Sequence, residues 1–223
     1  MQPEVSAIPH VEAAALAGMI EPAHTALVVI DVQEDFVGPT GAMARIGVDM
    51  SGVEPALDRI ATLIAAARAV GASVAFARVV SSEKTDSNAL KLLNARKGRP
   101  PNAIAICREG EAGADYYRVR PEPGDIEAPK RLFNTFHATT FDADLRARGV
   151  DTLVVVGFTT DCCVDATCRD AFHRDYSVFV VSDATDAYAS DLHAGALKAL
   201  QKNVALITDT ASVLAAWGGP WRS

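Results

Sequence analysis

At 223 residues, 49% hydrophobic and 22% charged, the chain has the length and composition of a globular protein that buries a core without metal or disulfide staples. A formal net charge of −7 with no Lys/Arg stripe excludes the phosphate-neutralising surface that nucleic-acid binding needs. The apolar run "AAALAGMI" follows Glu12, lacks a basic leader and is too short to span a bilayer, so no membrane role is expected. With no secretory signal, a cytoplasmic location with reduced cysteines is expected.

Strand and helix patterns alternate along the chain. "TALVVID" (25–31) is a short β-branched run, predicted as a buried parallel strand. Residues 52–71 place Leu57, Ile60, Ile64 and Ala67 at helical spacing, with Gly71 just past the end. "SVAFARVV" (73–80) reads as a second strand. From 81 to 124 the text turns polar and rich in Gly and Pro, predicting an insertion of loops with one short helix. A short strand (125–130), a helix (140–149) and a clear strand (151–157) follow. The remaining pattern is helix (161–175), strand (177–183), helix (191–201), strand (204–207) and helix (210–217). Such alternation requires crossover connections. The expected fold is therefore α/β, a mostly parallel sheet with helices on both faces. With no internal repeat or linker, residues 1–223 read as a single domain, with 1–22 an N-terminal extension.

Ligands in such sheets bind beyond the carboxyl ends of the strands, which singles out Asp31, Arg78 to Ser81, Lys130, Gly157 to Cys163 and Asp183. Three of the four cysteines crowd into "GFTTDCCVDATCRDA". A disulfide between neighbours Cys162 and Cys163 would close a strained ring, so free thiols are expected. A helix starting at Thr160 or Asp161, either one a candidate N-cap, would place Cys163 in its first turn. There the free amides and the helix dipole lower a thiol pKa and can hold an oxyanion. Cys168 shares a helical face with Val164, Ala171 and Phe172 and reads as core. Periodicity alone does not choose between Cys162 and Cys163. Asp31 is either a turn cap or a buried carboxylate placed to accept a thiol proton. Lys130 is either a surface amine or a cation held in the cleft. Asp, Lys and Cys at three strand ends make a coherent set of base, electrostatic partner and nucleophile.

These segments together resemble the isochorismatase-like cysteine hydrolases over roughly residues 24–217. "ALVVIDVQEDF" is similar to the family's D-x-Q-x-D-F opening. "GDIEAPKRLFNTFHATTF" is similar to its lysine segment, with Phe136 and Thr139 six and nine residues after Lys130. "GFTTDCCV" is similar to G-x-x-T-x-x-C-V. The resemblance implies Asp31 as general base, Lys130 as electrostatic partner and Cys163, followed by Val164, as nucleophile. It also implies a cis peptide between Phe158 and Thr159, with the amides of Thr159 and Cys163 forming the oxyanion hole. No metal or other cofactor is implied. The metal cluster of nicotinamidases is absent from "RVVSSEKTDSN", and His10, His24, His137, His173 and His193 are not paired at ligand spacing.

The expected activity is hydrolysis of a small linear amide or ureide, releasing ammonia through a thioester. "TTDCCV" and "DLHAGALKAL" look closest to the carbamoyl-hydrolysing members. Arg78 is a candidate for a substrate carboxylate, with a structural ion pair as the alternative. Phe36, Phe133, Phe136 and Phe158 are candidates for the pocket wall, set against ordinary core packing. The family resemblance implies a homo-oligomer, dimer or tetramer. The rival readings are a non-catalytic binder of a metabolite or partner, a thiol redox sensor, and a metal-free amidase of the nicotinamidase type.

Overall fold

The structure, a computed structural model, describes residues 8–218. Among the described residues, six strands form one all-parallel sheet: β1 (Thr25–Ile30), β2 (Ser73–Val79), β3 (Ile126–Lys130), β4 (Thr152–Phe158), β5 (Ser177–Asp186) and β6 (Leu206–Thr208), in the order β3-β2-β1-β4-β5-β6. The two central strands, β1 and β4, are rich in β-branched and apolar residues and buried throughout because both their faces are covered. In β1 the period of two sends Leu27 and Val29 into one core and Ala26, Val28 and Ile30 into the other.

The helices are α1 (Ala13–Leu16), α2 (Glu34–Val37), α3 (Ala42–Arg45), α4 (Val53–Val70), α5 (Asn88–Arg96), α6 (Phe141–Ala147), α7 (Asp165–His173), α8 (Ser190–Asn203) and α9 (Thr210–Ala216). On one face α4 buries Leu57, Ile60, Leu63 and Ile64, and ends on Gly71 at φ 77 as its spacing predicts. Helices α6, α7 and α8 cover the other face through Phe141, Leu145, Cys168, Leu197 and Leu200. Of the predicted extension, residues 1–7 lie outside the described residues. Val11 donates to the Ile207 carbonyl at 2.8 Å, so the extension shields the edge strand β6.

One boundary and one side-chain facing differ from expectation. Strand β5 runs on to Asp186, so Asp183 lies within it rather than at its open end. Asp183 Oδ1 accepts from the Thr210 amide and hydroxyl, both at 2.8 Å, and Oδ2 pairs with Arg59 at 3.1 Å, a structural role away from the cleft. Phe172, grouped with Cys168 by spacing, points outward and is 48% exposed, whereas Cys168 is fully buried.

The order reverses between β1 and β4, making their carboxyl ends the switch point where this architecture opens a crevice. Gly157 sits there at φ 113, and a Cβ on it would lie 2.1 Å from the Ile30 carbonyl oxygen. Only glycine permits both the backbone angle and the approach. Gly157→Ala is expected to cost about 2–5 kcal/mol, combining backbone strain with overpacking, or roughly 5–15 °C in thermal midpoint. An unchanged midpoint on calorimetry would show that β1 and β4 can part there without penalty.

Candidate active site

Three strand ends deliver the predicted chemistry to one point. Asp31 follows β1 at φ 51, with its amide bound to the Ala77 carbonyl at 2.9 Å and its side chain 1% exposed. Strand β3 alternates in burial, and that period turns Ile126, Ala128 and Lys130 inward while Glu127 and Pro129 face out. Pro129 is tolerated because β3 is an edge strand. Lys130 must cross β2 to reach β1, a span of roughly 9–10 Å between strand axes that suits a four-carbon stem. Its Nζ donates to Asp31 Oδ2 at 2.7 Å and to the Leu132 carbonyl at 2.9 Å.

The Phe158–Thr159 peptide is cis, at the position the resemblance implies. Beyond it, Thr160–Val164 is a π-helical turn leading into α7. The Thr159 carbonyl accepts from the amides of Cys162 and Val164, both at 3.1 Å, passing over the Cys163 amide between them. Cys163 is 5% exposed and lines a cavity, whereas Asp31 and Lys130 are buried and do not line it. Thr160 does not cap the turn, as the sequence suggested. It is wholly buried and turns instead toward Thr185 and His193.

Burial raises the Asp31 pKa above the usual carboxylate range, against the lowering effects of Lys130 and of hydrogen bonding from Cys163. Burial alone would pull Lys130 down, but the charges and hydrogen bonds of Asp31 and Cys163 outweigh it and its pKa is raised. The Cys163 thiol is held well above its ordinary value by its hydrogen bond with Cys162, by burial and by the Asp31 carboxylate. The lowered thiol pKa expected from a helix terminus is thus overturned. The dipole argument counted only the turn, and the nearby anion and the loss of solvent dominate. Asp31 Oδ1 makes no fully formed hydrogen bond, although Cys163 lies close enough to influence the carboxyl. A neutral thiol therefore stands beside a carboxylate with a spare lone pair.

The cavity has a volume of about 320 Å³ and is lined in part by Phe36, Phe133, Phe158, Thr159, Cys162, Cys163 and Tyr188. Two of the predicted substrate-binding residues, one offered to the wall and one to a substrate carboxylate, lie elsewhere. Phe136 is buried against Phe141 and Tyr176, with ring centroids 4.9 and 5.8 Å away. Arg78 stacks its guanidinium 5.1 Å from the Tyr116 ring, on the same side of β2 as Phe76, and does not reach the cavity. A wider groove of about 1070 Å³ adjoins the cavity and shares Ser81, Asp86, Asn94 and Arg99 with it, but contains none of Asp31, Lys130 or Cys163.

Several supporting residues escaped the sequence reading. The stretch read as loops supplies much of the cavity's outer wall, through Ser87, Leu90 and Asn94 on or beside α5 and Arg99, Ala103, Ile104 and Ile106 beyond it. Two members of the opening signature fasten that stretch down. Gln33 donates to the carbonyls of Val79 (2.8 Å) and Ala114 (2.9 Å) and accepts from the Val79 amide (2.7 Å). Asp35 accepts from the Cys107 amide at 2.7 Å and the Ala42 amide at 3.1 Å. Their signal was the D-x-Q-x-D-F pattern itself, in which only the first carboxylate had been given a role. Tyr188, whose hydroxyl donates to the Phe36 carbonyl at 2.9 Å, had no sequence signal.

A buried carboxylate–ammonium pair beside a cysteine, at the switch point of a parallel sheet, defines the class of cysteine hydrolases. Residues 25–212 match the isochorismatase domain model. The chain is 37% identical over 217 residues to a ureidoacrylate amidohydrolase of Methylobacterium radiotolerans, covering 92% of this chain and 83% of that one. It is 38% identical over 176 residues to the Variovorax paradoxus enzyme of the same name, covering 72% and 68%. A cysteine hydrolase from Pseudomonas syringae pv. phaseolicola superposes with a TM-score of 0.77 at 29% identity, over 89% of this chain and 94% of that one. The chain belongs to the isochorismatase family, as an amidohydrolase acting on C–N bonds other than peptide bonds.

Proposed function

We propose that the protein hydrolyses a small linear ureide carrying a carboxylate, releasing ammonia through a thioester on Cys163. The observation that carries this reading is the buried Asp31–Lys130 pair at 2.7 Å, with a spare Asp31 lone pair beside a neutral thiol that lines the cavity. Asp31 takes the Cys163 proton, and the sulfur attacks the ureide carbonyl. The oxyanion that forms rests on the Thr159 and Cys163 amides. Asp31 returns its proton to the departing nitrogen, which leaves as ammonia. A water deprotonated by Asp31 then opens the thioester, restores the thiol and leaves a carbamate. Lys130 stays cationic throughout and offsets the charge passing through Asp31.

The carboxylate is argued from the balance of charge in the cavity. Of its three charged lining residues, Asp86 is already held by Arg108 at 2.6 and 2.9 Å. Among the described residues, Arg99 is hydrogen-bonded to the neutral Asn94 Oδ1 at 3.1 Å and neither it nor Arg131 has an acidic partner. Two unmatched guanidiniums favour an anionic substrate. Ureidoacrylate, named for the relatives, is a ureide with a carboxylate.

An ammonia-release panel of ureidoacrylate, N-carbamoyl amino acids, biuret and nicotinamide tests this reading. The carboxylated ureides are expected to lead in kcat/KM. Arg131→Met is expected to raise their KM by roughly 10–100-fold, the worth of one charge-assisted hydrogen bond, and to leave any turnover of neutral biuret unchanged. Equal efficiency on biuret would remove the carboxylate from the proposal. No release from any ureide would remove the proposal itself.

A further inference from the structure

We infer that His193 is a positioning residue for the nucleophile turn, acting through a relay of hydrogen bonds in which every proton has one allowed direction. The Gly157 carbonyl can only accept, so Thr185 Oγ1 donates to it, at 2.7 Å. That spends the one hydroxyl proton of Thr185. In its 2.9 Å contact with Thr160, Thr185 must therefore accept and Thr160 donate. Thr160 has then spent its own proton, and its 2.8 Å contact with His193 Nδ1 requires a proton on that nitrogen. The order is His193 Nδ1–H to Thr160, Thr160 to Thr185, and Thr185 to Gly157.

The relay's place in the fold explains its use. Gly157 immediately precedes Phe158 and the cis peptide, and Thr160 opens the π-turn three residues before Cys163. Both hydroxyls are buried, whereas His193 reaches in from α8, an element with no other part in the site. The bonds thus fix the chain on both sides of Thr159 and anchor the start of the turn that leads to Cys163. The sequence feature responsible is the histidine of "DLHAGALKAL".

The charged neighbours of the ring are Asp186, whose Oδ1 lies 3.9 Å from Nδ1, and Asp161. Burial lowers the histidine's pKa and both carboxylates oppose that lowering. Neutral Nδ1–H histidine and the imidazolium both carry the required proton, so the relay persists through the ring's titration.

The inference rests on Cys163 being the nucleophile, and its test separates the two. Nitrogen-15 NMR of the full-length protein at neutral pH is expected to show His193 as the Nδ1–H tautomer. His193→Leu is expected to lower kcat 10–100-fold with KM changed less than about twofold, the scale for a small misplacement of a reacting group. His193→Asn, whose amide N–H stands where Nδ1–H stood, is expected to recover most of that loss, and His193→Gln is not. An Nε2–H tautomer in the wild type would overturn the relay, as would an unchanged kcat in His193→Leu. If His193→Leu fails to fold, the Asn and Gln variants decide between the outcomes, and equal kcat in the two overturns the proposal. If the wild type hydrolyses no ureide, the functional reading falls while the tautomer still tests the relay.

Discussion

Cys163→Ala is expected to reduce ammonia release by at least about 10³-fold, because removing a nucleophile leaves only binding and oxyanion contacts to act on the substrate. Cys162→Ala is expected to stay within about tenfold of the wild type. Both thiols are free and both line the cavity, and both feel the charges of Asp31 and Lys130, yet of the two only Cys163 is placed to hydrogen-bond with that pair. Equal loss in the two variants would sink the assignment. The pH dependence follows from the same geometry. Catalysis needs Asp31 as a carboxylate, and its pKa is raised, first by burial. The acid limb of kcat/KM is therefore expected to sit above the ordinary aspartate value of about 4. Because Asp31, Lys130 and Cys163 act on one another's charge, that limb belongs to the group rather than to one residue. An acid limb at or below about 4 would contradict the buried-base reading.

Lys130→Met is expected to destabilise the protein by about 3–5 kcal/mol, since it strands the Asp31 carboxylate in the core without its partner. Adding Asp31→Asn should return part of that loss, because the pair then vanishes as a unit. Urea unfolding of the two single variants and the double closes the cycle. A coupling under about 0.5 kcal/mol would show that the two charges do not depend on each other. The pH behaviour separates this from simple loss of packing. Asp31 without Lys130 keeps a folded pKa raised by burial, so the folded state binds a proton more tightly than the unfolded chain. The Lys130→Met variant should therefore gain stability as pH falls through that folded value, the gain levelling off below the ordinary aspartate value of about 4. In the wild type the raised Lys130 pKa works at the other end. Its contribution is complete below the ordinary lysine value of about 10.4 and is lost as pH rises through the higher folded value.

The elements that read clearly in the sequence are those whose signal is local. The β-branched runs at 25–31, 73–80 and 151–157 became β1, β2 and β4, because a strand buried on both faces must be apolar throughout. Their carboxyl ends pointed to Asp31 and the cysteine turn, and the short strand before it pointed to Lys130. The reading failed where an answer depended on distant partners. Arg78 was offered to a substrate because it ends a strand, but the ring of Tyr116 claims it. Phe136 was offered to the pocket and packs with Phe141 and Tyr176. Asp183 was placed at a strand end that β5 passes by three residues. The Gly- and Pro-rich insertion showed no periodicity, so nothing announced that it would form the cavity's outer wall.

By itself the sequence determined the parallel α/β architecture and the kinds of reactive group that could gather at one rim of the sheet. Both follow from short-range periodicity and from the rule that crossover connections keep strand ends on one side. Only the tertiary structure decided which thiol meets the Asp31–Lys130 pair, that this thiol rests neutral, and which cations remain unmatched over it. Those properties depend on desolvation and on distances between residues about a hundred positions apart in the chain, such as 31 and 130, and no local pattern encodes them.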